Sequence, residues 1–439
     1  MKNEKQKFHL RCKNTGYVFN NFHEWFEANQ KCPDGSARVE IVYLNDRKKI
    51  LELIDKKARP QSLWHYFDLL PLNDEKNIVS FGEGIVPMER WEFLERYALE
   101  KHGIHCSVQV MRNDKNNPTG TFKDKGATLA ASVLKENNIK QYIVVSTGNT
   151  ATAFAYYLAA AQISLSVFIP SDALKQMESE ISMYGQKVFR VGGDYAVAKR
   201  VAKDYADKYG ILMTGGNFDP LRMEAKKIMV FEWLRELEVM PTVYIQALSG
   251  GTGPFAIEKA YQDIEGLGLA DKMPRFILVQ PSGCAPMAAA WAQAKANEFP
   301  LGFENQYPVY DNPVTIVPTL ATGDPKTYPA MSRLVQKTEG EIIQFDESKL
   351  FDIARWVGYE TLVRIGPASA VAIGGFINAL KQQLIKQGDS VMLNIGEGVS
   401  RAADFMEQAI YTTKNVSTIN DCEPFERESL RTQLWDAVG

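Results

Sequence analysis

Beyond Gly126 the apolar positions of the chain alternate between two patterns. Short continuous runs rich in β-branched residues read as buried strands: QYIVVS at 141–146, LSVFIP at 165–170, KVFRVG at 187–192, TVYIQAL at 242–248, RFILVQP at 275–281, EIIQF, and SVMLNIG at 390–396. Between them lie stretches with apolar residues every three or four positions. These predict helices in NTATAFAYYLAAAQ at 149–162, ALKQMESEISMYG ending at Gly185, DYAVAKRVAKDYADKYG, PLRMEAKKIMVFEWLREL, FAIEKAYQDI, and at 346–362 and 368–387. The alternation predicts βαβ units and an α/β fold with a largely parallel sheet. Residues 299–330 are less regular and contain prolines, and those after about Tyr411 are polar and mixed, an extension.

A chain of 439 residues exceeds what one hydrophobic core organises, so two lobes with a cleft between them are expected. Charge is balanced, 50 basic against 53 acidic residues, which predicts neither nucleic acid nor a membrane surface as partner. The N-terminal residues lack a signal-peptide core, and no run approaches the roughly 18 apolar residues of a membrane span, so the chain is read as cytoplasmic. Five cysteines, odd in number and scattered, argue for reduced thiols. All five histidines lie between His9 and His105, which leaves the later chain none for a Ser/His/Asp triad or an HExxH zinc site. His65 is read as packing or a local hydrogen bond.

Three glycine-bearing loops adjoin strands where open α/β sheets bind ligands: NNPTGTFKDKG at 116–126, STGNTATA at 146–153 and SGGTGP at 249–254. In the third, backbone N–H groups of Gly250, Gly251, Thr252 and Gly253 can converge on one phosphate. It lacks the GK[ST] ending of a nucleotide-triphosphate loop, so a small monophosphate fits better; a tight strand-to-helix turn is the plain alternative. In the first, Lys123 stands at a helix start near a second cation, Lys125. Both influences favour loss of its proton and a nucleophilic amine. A solvated lysine is the plain alternative there.

NPTGTFKDKG resembles the lysine motif of threonine synthases, and STGNTATAFAYYLAAA resembles their asparagine loop and helix. GEGIVPM precedes these, and MYGQKVFRVGGDY, NFDPLRMEAKK and GPASAVAIGG follow, in the family's order. Other segments, FHLRCKNTGYVF, HYFDLLPL, YIQALSGGTGPFAIEKA, QPSGCAPMAAAW and SVMLNIGEGVSR, resemble the related cysteate synthases. The resemblance implies a two-lobed fold type II pyridoxal-phosphate enzyme, similar to the tryptophan synthase β chain, with helices on both faces of mostly parallel sheets. It divides the chain into an N-terminal extension with a degenerate ribbon-like segment (1–60), a lobe with the cofactor lysine and asparagine loop (61–220), a lobe with the phosphate loop (221–410) and a C-terminal extension (411–439).

Carried over by residue, the resemblance makes Lys123 the Schiff-base lysine and the base that moves the Cα proton. Asn149 meets the cofactor's phenolic oxygen, and residues 250–253 take its phosphate. Ser146, Thr147 and Thr150 hold the substrate carboxylate, and Lys125 or Arg222 meets a substrate phosphate. Two departures stand out. Threonine synthases carry TGHG after the last strand, where this chain has NIGEG, so Asn394 becomes the candidate neutral neighbour of the pyridine nitrogen, with Ser400 and Glu397 as alternatives. Relatives also begin with two CxxC pairs, where this chain keeps only Cys12 and Cys32, with Thr15 and Gly35 at the partner positions. Two thiolates do not fill the four positions of zinc, so no metal is expected.

The function expected is pyridoxal-phosphate-dependent β-replacement or elimination on an O-activated amino acid, as in cysteate synthases: O-phospho-L-serine plus a nucleophile such as sulfite. The alternatives are threonine synthesis from O-phospho-L-homoserine and a non-catalytic amino-acid-binding relative. A small amino-acid substrate and a homodimer are expected.

Overall fold

The buried apolar runs become strands of two parallel sheets in a computed structural model that describes residues 6–439 except 56–59, 147, 172, 174, 410–413 and 425. In chain order the strands are β1 (Phe8–Cys12), β2 (Val18–Phe19), β3 (Val39–Tyr43), β4 (Met88–Arg90), β5 (Ser107–Arg112), β6 (Gln141–Val145) and β7 (Ser164–Ile169). There follow β8 (Lys187–Arg190), β9 (Leu212–Met213), β10 (Val243–Ala247), β11 (Arg275–Pro281), β12 (Glu341–Phe345) and β13 (Ser390–Ile395). The larger sheet has the order β12-β11-β10-β13-β5-β4, parallel except for β4, and the smaller has β8-β7-β6-β9, all parallel.

The helix Pro220–Glu236 lies between helices Asp124–Glu136 and Thr252–Ile264 and is buried along nearly its whole length. Its start is fixed locally: Pro220 occupies the first turn, and the Asp219 carboxylate accepts from Leu221 N at 3.0 Å. Helices Asn149–Ala160 and Thr252–Ile264 have no such side-chain cap, so their first N–H groups remain available to a ligand. Both begin at the carboxyl end of a parallel strand, the edge where these folds bind ligands.

The division at residue 220 read from the sequence does not follow the sheets. β4 and β5, from the segment assigned to the first lobe, complete the larger sheet beside β13, and the smaller sheet comprises only residues 141–213. The irregular stretch 299–330 contains short 3₁₀ turns and leads into the helix Tyr328–Lys337. The C-terminal extension ends in a docked helix, Arg427–Val438, with Leu434, Trp435 and Val438 buried and Trp435 edge-on to Tyr97 at 5.6 Å. His65 makes the local contact expected of it, with Nε2 2.8 Å from the Leu53 carbonyl. Among the described residues no helix is long and apolar enough to cross a membrane.

Residues 8–43 form the antiparallel sheet β2-β1-β3, and two knuckle-like turns survive: Gly16 N to Cys12 O at 2.9 Å and Gly35 N to Cys32 O at 2.8 Å. Cys12 and Cys32 are buried, and their Sγ atoms lie with an Asp34 carboxylate oxygen within 4.8 Å of one another. Asp34 is already held by Asn14 and by Ser36, whose hydroxyl donates at 2.7 Å. Because structural zinc takes four protein ligands, we expect purified protein to hold well under one zinc per chain. Stoichiometric zinc on elemental analysis would show that Asp34 completes a site with the two thiolates.

Candidate active site

The lysine loop is braced before Lys123 is reached. Asn116 Oδ1 accepts from Gly84 N at 2.8 Å, Asn116 Nδ2 donates to Thr121 O at 2.9 Å, and the Thr119 hydroxyl donates to the buried Asp124 carboxyl. Phe122 N donates to Gly396 O at 3.0 Å, and Thr121 forms an antiparallel bridge with Glu397, so the loop is stitched to the turn after β13. Lys123 itself projects into a cleft lined also by Asn149, Arg222, Gly250, Asn394 and Glu397. Its amine has no hydrogen-bond partner among the described residues.

The Lys123 side chain is only partly covered by area, but protein crowds the amine. Burial is the main cause that lowers its pKa to about 8, helped by the Arg222 guanidinium and opposed by Glu397. The neighbouring cation is therefore Arg222 and not Lys125, as the sequence suggested. Lys125 is buried outside the cleft lining, and its amine donates to the Gly84 carbonyl. Residues two apart on a helix do not share a face.

The glycine loop that follows β10 has no room for side chains. A Cβ on Gly250 would lie 1.8 Å from the Asn217 amide nitrogen, one on Gly251 2.1 Å from Met331 Cε, and one on Gly253 2.2 Å from Gln246 Oε1. Gly251 also has φ +77°, a left-handed conformation that favours glycine. Gly250, Gly251 and Thr252 line the cleft; Gly253 lies one residue into the helix, behind that lining.

Across the cleft, Ser146 and Thr150 flank the start of the helix Asn149–Ala160; Thr147, assigned with them, lies outside the described residues. Ser146 Oγ is bonded with the Gly148 backbone at 3.2 Å, and a Cβ on Gly148 would stand 2.7 Å from Thr319 Cγ2. Asn149 is already engaged: Nδ2 donates to Glu397, and Oδ1 accepts from Arg401 Nε at 3.2 Å. One Nδ2 hydrogen is left for a ligand oxygen. Glu397 is buried, accepts from Ala368 N at 3.0 Å, and its carboxyl pKa is raised by that burial.

Asn394, buried near the end of β13, accepts from Asn113 Nδ2 at 2.8 Å and donates to Gln246 Oε1 at 3.3 Å, and Tyr244 OH also donates to Gln246 Oε1 at 2.7 Å. The Asn394 amide is also within hydrogen-bonding reach of the Tyr244 oxygen. Ser400 does not line the cleft, and its carbonyl accepts from Gln176 at 2.6 Å. Sequence reasoning missed Gln246, Asn217, Arg401 and the wall at Thr319–Thr322. Only Gln246 carried a signal, a lone polar residue inside an apolar strand run.

These residues fit a phosphorylated aldehyde. An amine with a depressed pKa, a glycine loop with no room for side chains and the neutral amides Asn149, Gln246 and Asn394 line one cleft, and the Thr319 hydroxyl on its wall is buried without a partner among the described residues. Two parallel α/β sheets with this cleft at their strand ends define a fold type II pyridoxal-phosphate enzyme. The chain belongs to the family of pyridoxal-phosphate dependent enzymes, which it matches over residues 79–396, and pyridoxal 5′-phosphate is its cofactor.

Among curated proteins it is 28% identical over 400 residues to a cysteate synthase of Methanococcoides burtonii (90% of this chain, 89% of that one). It is 26% identical over 368 residues to a threonine synthase of Methanocaldococcus jannaschii (82% and 86%). Its fold is shared with diaminopropionate ammonia lyase from Escherichia coli (TM-score 0.61, 13% identity, 84% and 92% covered). It is shared also with cysteine synthase from Entamoeba histolytica (TM-score 0.59, 16% identity, 81% and 94%).

If Lys123 is the amine that captures the cofactor's aldehyde, as the resemblance implies, the rate of capture should rise with pH through about 8 and level off above it. Stopped-flow absorbance during reconstitution of apo-protein checks this. A rise centred near the ordinary lysine value of 10.5 would mean that the amine is not crowded as described.

Proposed function

We propose that this enzyme replaces the β-substituent of an O-activated serine, with O-phospho-L-serine as electrophile and a nucleophile such as sulfite, in the manner of a cysteate synthase. The observation that carries the proposal is the set of neutral amides Asn113, Asn394 and Gln246 at three adjacent strands of the larger sheet. When bound, pyridoxal phosphate supplies an electron sink that acidifies the Cα hydrogen of an amino acid. A neutral amide beside its ring nitrogen weakens that sink, which favours loss of a β-substituent over chemistry that needs carbanions at both Cα and Cβ.

In this reading the N–H groups of Gly250, Gly251, Thr252 and Gly253 hold the cofactor phosphate, the free Nδ2 hydrogen of Asn149 meets the phenolic oxygen, and Asn394 donates to the ring nitrogen. Ser146, Thr150 and the uncapped start of helix Asn149–Ala160 bind the substrate carboxylate, where oriented amides and the helix dipole favour an anion. Lys123 removes the Cα proton. Arg222, whose guanidinium is anchored on Gly216 O at 2.6 Å, meets the phosphate that leaves. Lys125 drops out of that role because its amine is spent on Gly84. The cytoplasmic location and the homodimer expected from the sequence belong to the same proposal.

Threonine synthesis from O-phospho-L-homoserine is the second reading, supported by the comparable identity to proteins named threonine synthase. Incubation with a panel of phosphorylated and acetylated amino acids, with products identified by mass, tests both. A β-substituted alanine from O-phosphoserine is the expected product, and threonine as the sole product would overturn the proposal.

A further inference from the structure

The helix Pro220–Glu236 carries an unusual load of buried charge. Most of it is paired at close range: Lys227 with Glu224 at 2.6 Å and Asp263 at 2.7 Å, and Arg235 with Glu232 at 2.7 Å. Lys226 is only 1% exposed, yet it makes no ion pair among the described residues. Its Nζ donates instead to Thr252 Oγ1 at 2.6 Å and stands 4.8 Å from the Phe122 ring centroid. Buried charges are ordinarily paired, because an isolated one pays a large desolvation cost. Here the amine, unpaired with any carboxylate among the described residues, is bonded to Thr252 of the glycine loop.

We infer that Lys226 is a positioning residue for the cofactor's phosphate, acting through the Thr252 hydroxyl. The inference rests on the reading that residues 250–253 hold that phosphate. A phosphate dianion in the cradle favours the ammonium form of Lys226, which donates and does not accept, so the Thr252 oxygen that receives its hydrogen bond then sends its own proton elsewhere. Thr252 lines the cleft, and the acceptor that its proton would meet on that side, with the cradle filled, is a phosphate oxygen. The charge argument runs the same way. Burial, then Lys123 and then Arg222 push the Lys226 amine well below its ordinary pKa, with Asp219 opposing them and Lys125 adding to them, and a dianion in the cradle relieves that crowding of cations.

Equilibrium binding of pyridoxal 5′-phosphate and of phosphate-free pyridoxal to the full-length apo-protein separates this role from simple packing. Lys226→Gln should weaken pyridoxal 5′-phosphate by about tenfold or more, as expected for one lost charge-assisted hydrogen bond. It should leave pyridoxal within about twofold, and Lys226→Arg should restore most of the phosphate preference. Inorganic phosphate should compete with the cofactor less well in Lys226→Gln than in wild type. If Lys226→Gln fails to fold, Lys226→Met, apolar along the same path, takes its place with the same expectation. Equal weakening of both ligands would reduce Lys226 to a packing residue and overturn the inference. Thr252→Val weakening the phosphate form while Lys226→Gln does not would overturn it too, with the cradle reading intact. A wild-type protein that binds pyridoxal as tightly as its phosphate would overturn the cradle reading itself.

Discussion

Replacing Lys123 with alanine should abolish turnover while leaving the chain folded. In the roles proposed for Lys123, loss of a positioned base costs on the order of 10²–10⁴-fold by itself, and loss of the covalent anchor adds to it. No other amine substitutes: Lys226 is held on Thr252 and Lys125 on the Gly84 carbonyl. Stability is a separate matter. Lys123 is the residue that precedes the helix Asp124–Glu136, its side chain makes no cap, and its amine anchors nothing. Removing a buried amine whose pKa is lowered to about 8 takes away a desolvation cost and no contact of comparable worth. Steady-state rates, thermal midpoints and the fraction of cofactor fixed to the chain by borohydride reduction check the three parts together. Activity above about one per cent of wild type, or cofactor still fixed covalently, would place the working amine elsewhere.

Much of the fold is legible in the sequence. Strands β6, β7, β10, β11 and β13 are buried on both faces by parallel packing, so they read as unbroken apolar runs and were placed to within a residue or two. β5 was not, because SVQVMR mixes polar positions and ends in Arg112, which is buried on the carboxylates of Glu89 and Asp114 and so looks like a surface residue in the sequence. The irregular segment before Tyr328 gave no periodic signal, although it builds the cleft wall at Thr319–Thr322.

Within the site, Lys123, Asn149 and the 250–252 loop announced themselves through glycines beside strand ends. The partners that tune them did not, because those partners arrive from distant chain. Arg222 lowers the Lys123 amine from the helix Pro220–Glu236, and Glu397 engages Asn149 across 248 positions. Adjacent Lys125 drew the sequence reading only because proximity in sequence was the one distance available.

The choice between β- and γ-replacement is the most exposed part of the account. γ-Replacement needs carbanions stabilised at Cα and then Cβ, with a second proton carrier near the leaving group. Among the described residues the cleft lining contains no histidine, and its cations are Lys123 and Arg222, the latter tied to Gly216. Glu397, the buried carboxyl, is committed to Asn149 and to Ala368 N. β-Replacement asks for one base and a weak sink, the roles proposed above for Lys123 and the Asn113–Asn394–Gln246 set.

Steady-state kinetics of the same preparation with O-phospho-L-serine plus sulfite and with O-phospho-L-homoserine test this most directly. The account predicts a β-product from phosphoserine and a kcat/KM for phosphohomoserine lower by roughly a hundredfold, the scale set by one extra methylene in a fitted pocket. Threonine released from phosphohomoserine faster than any β-product forms from phosphoserine would contradict it.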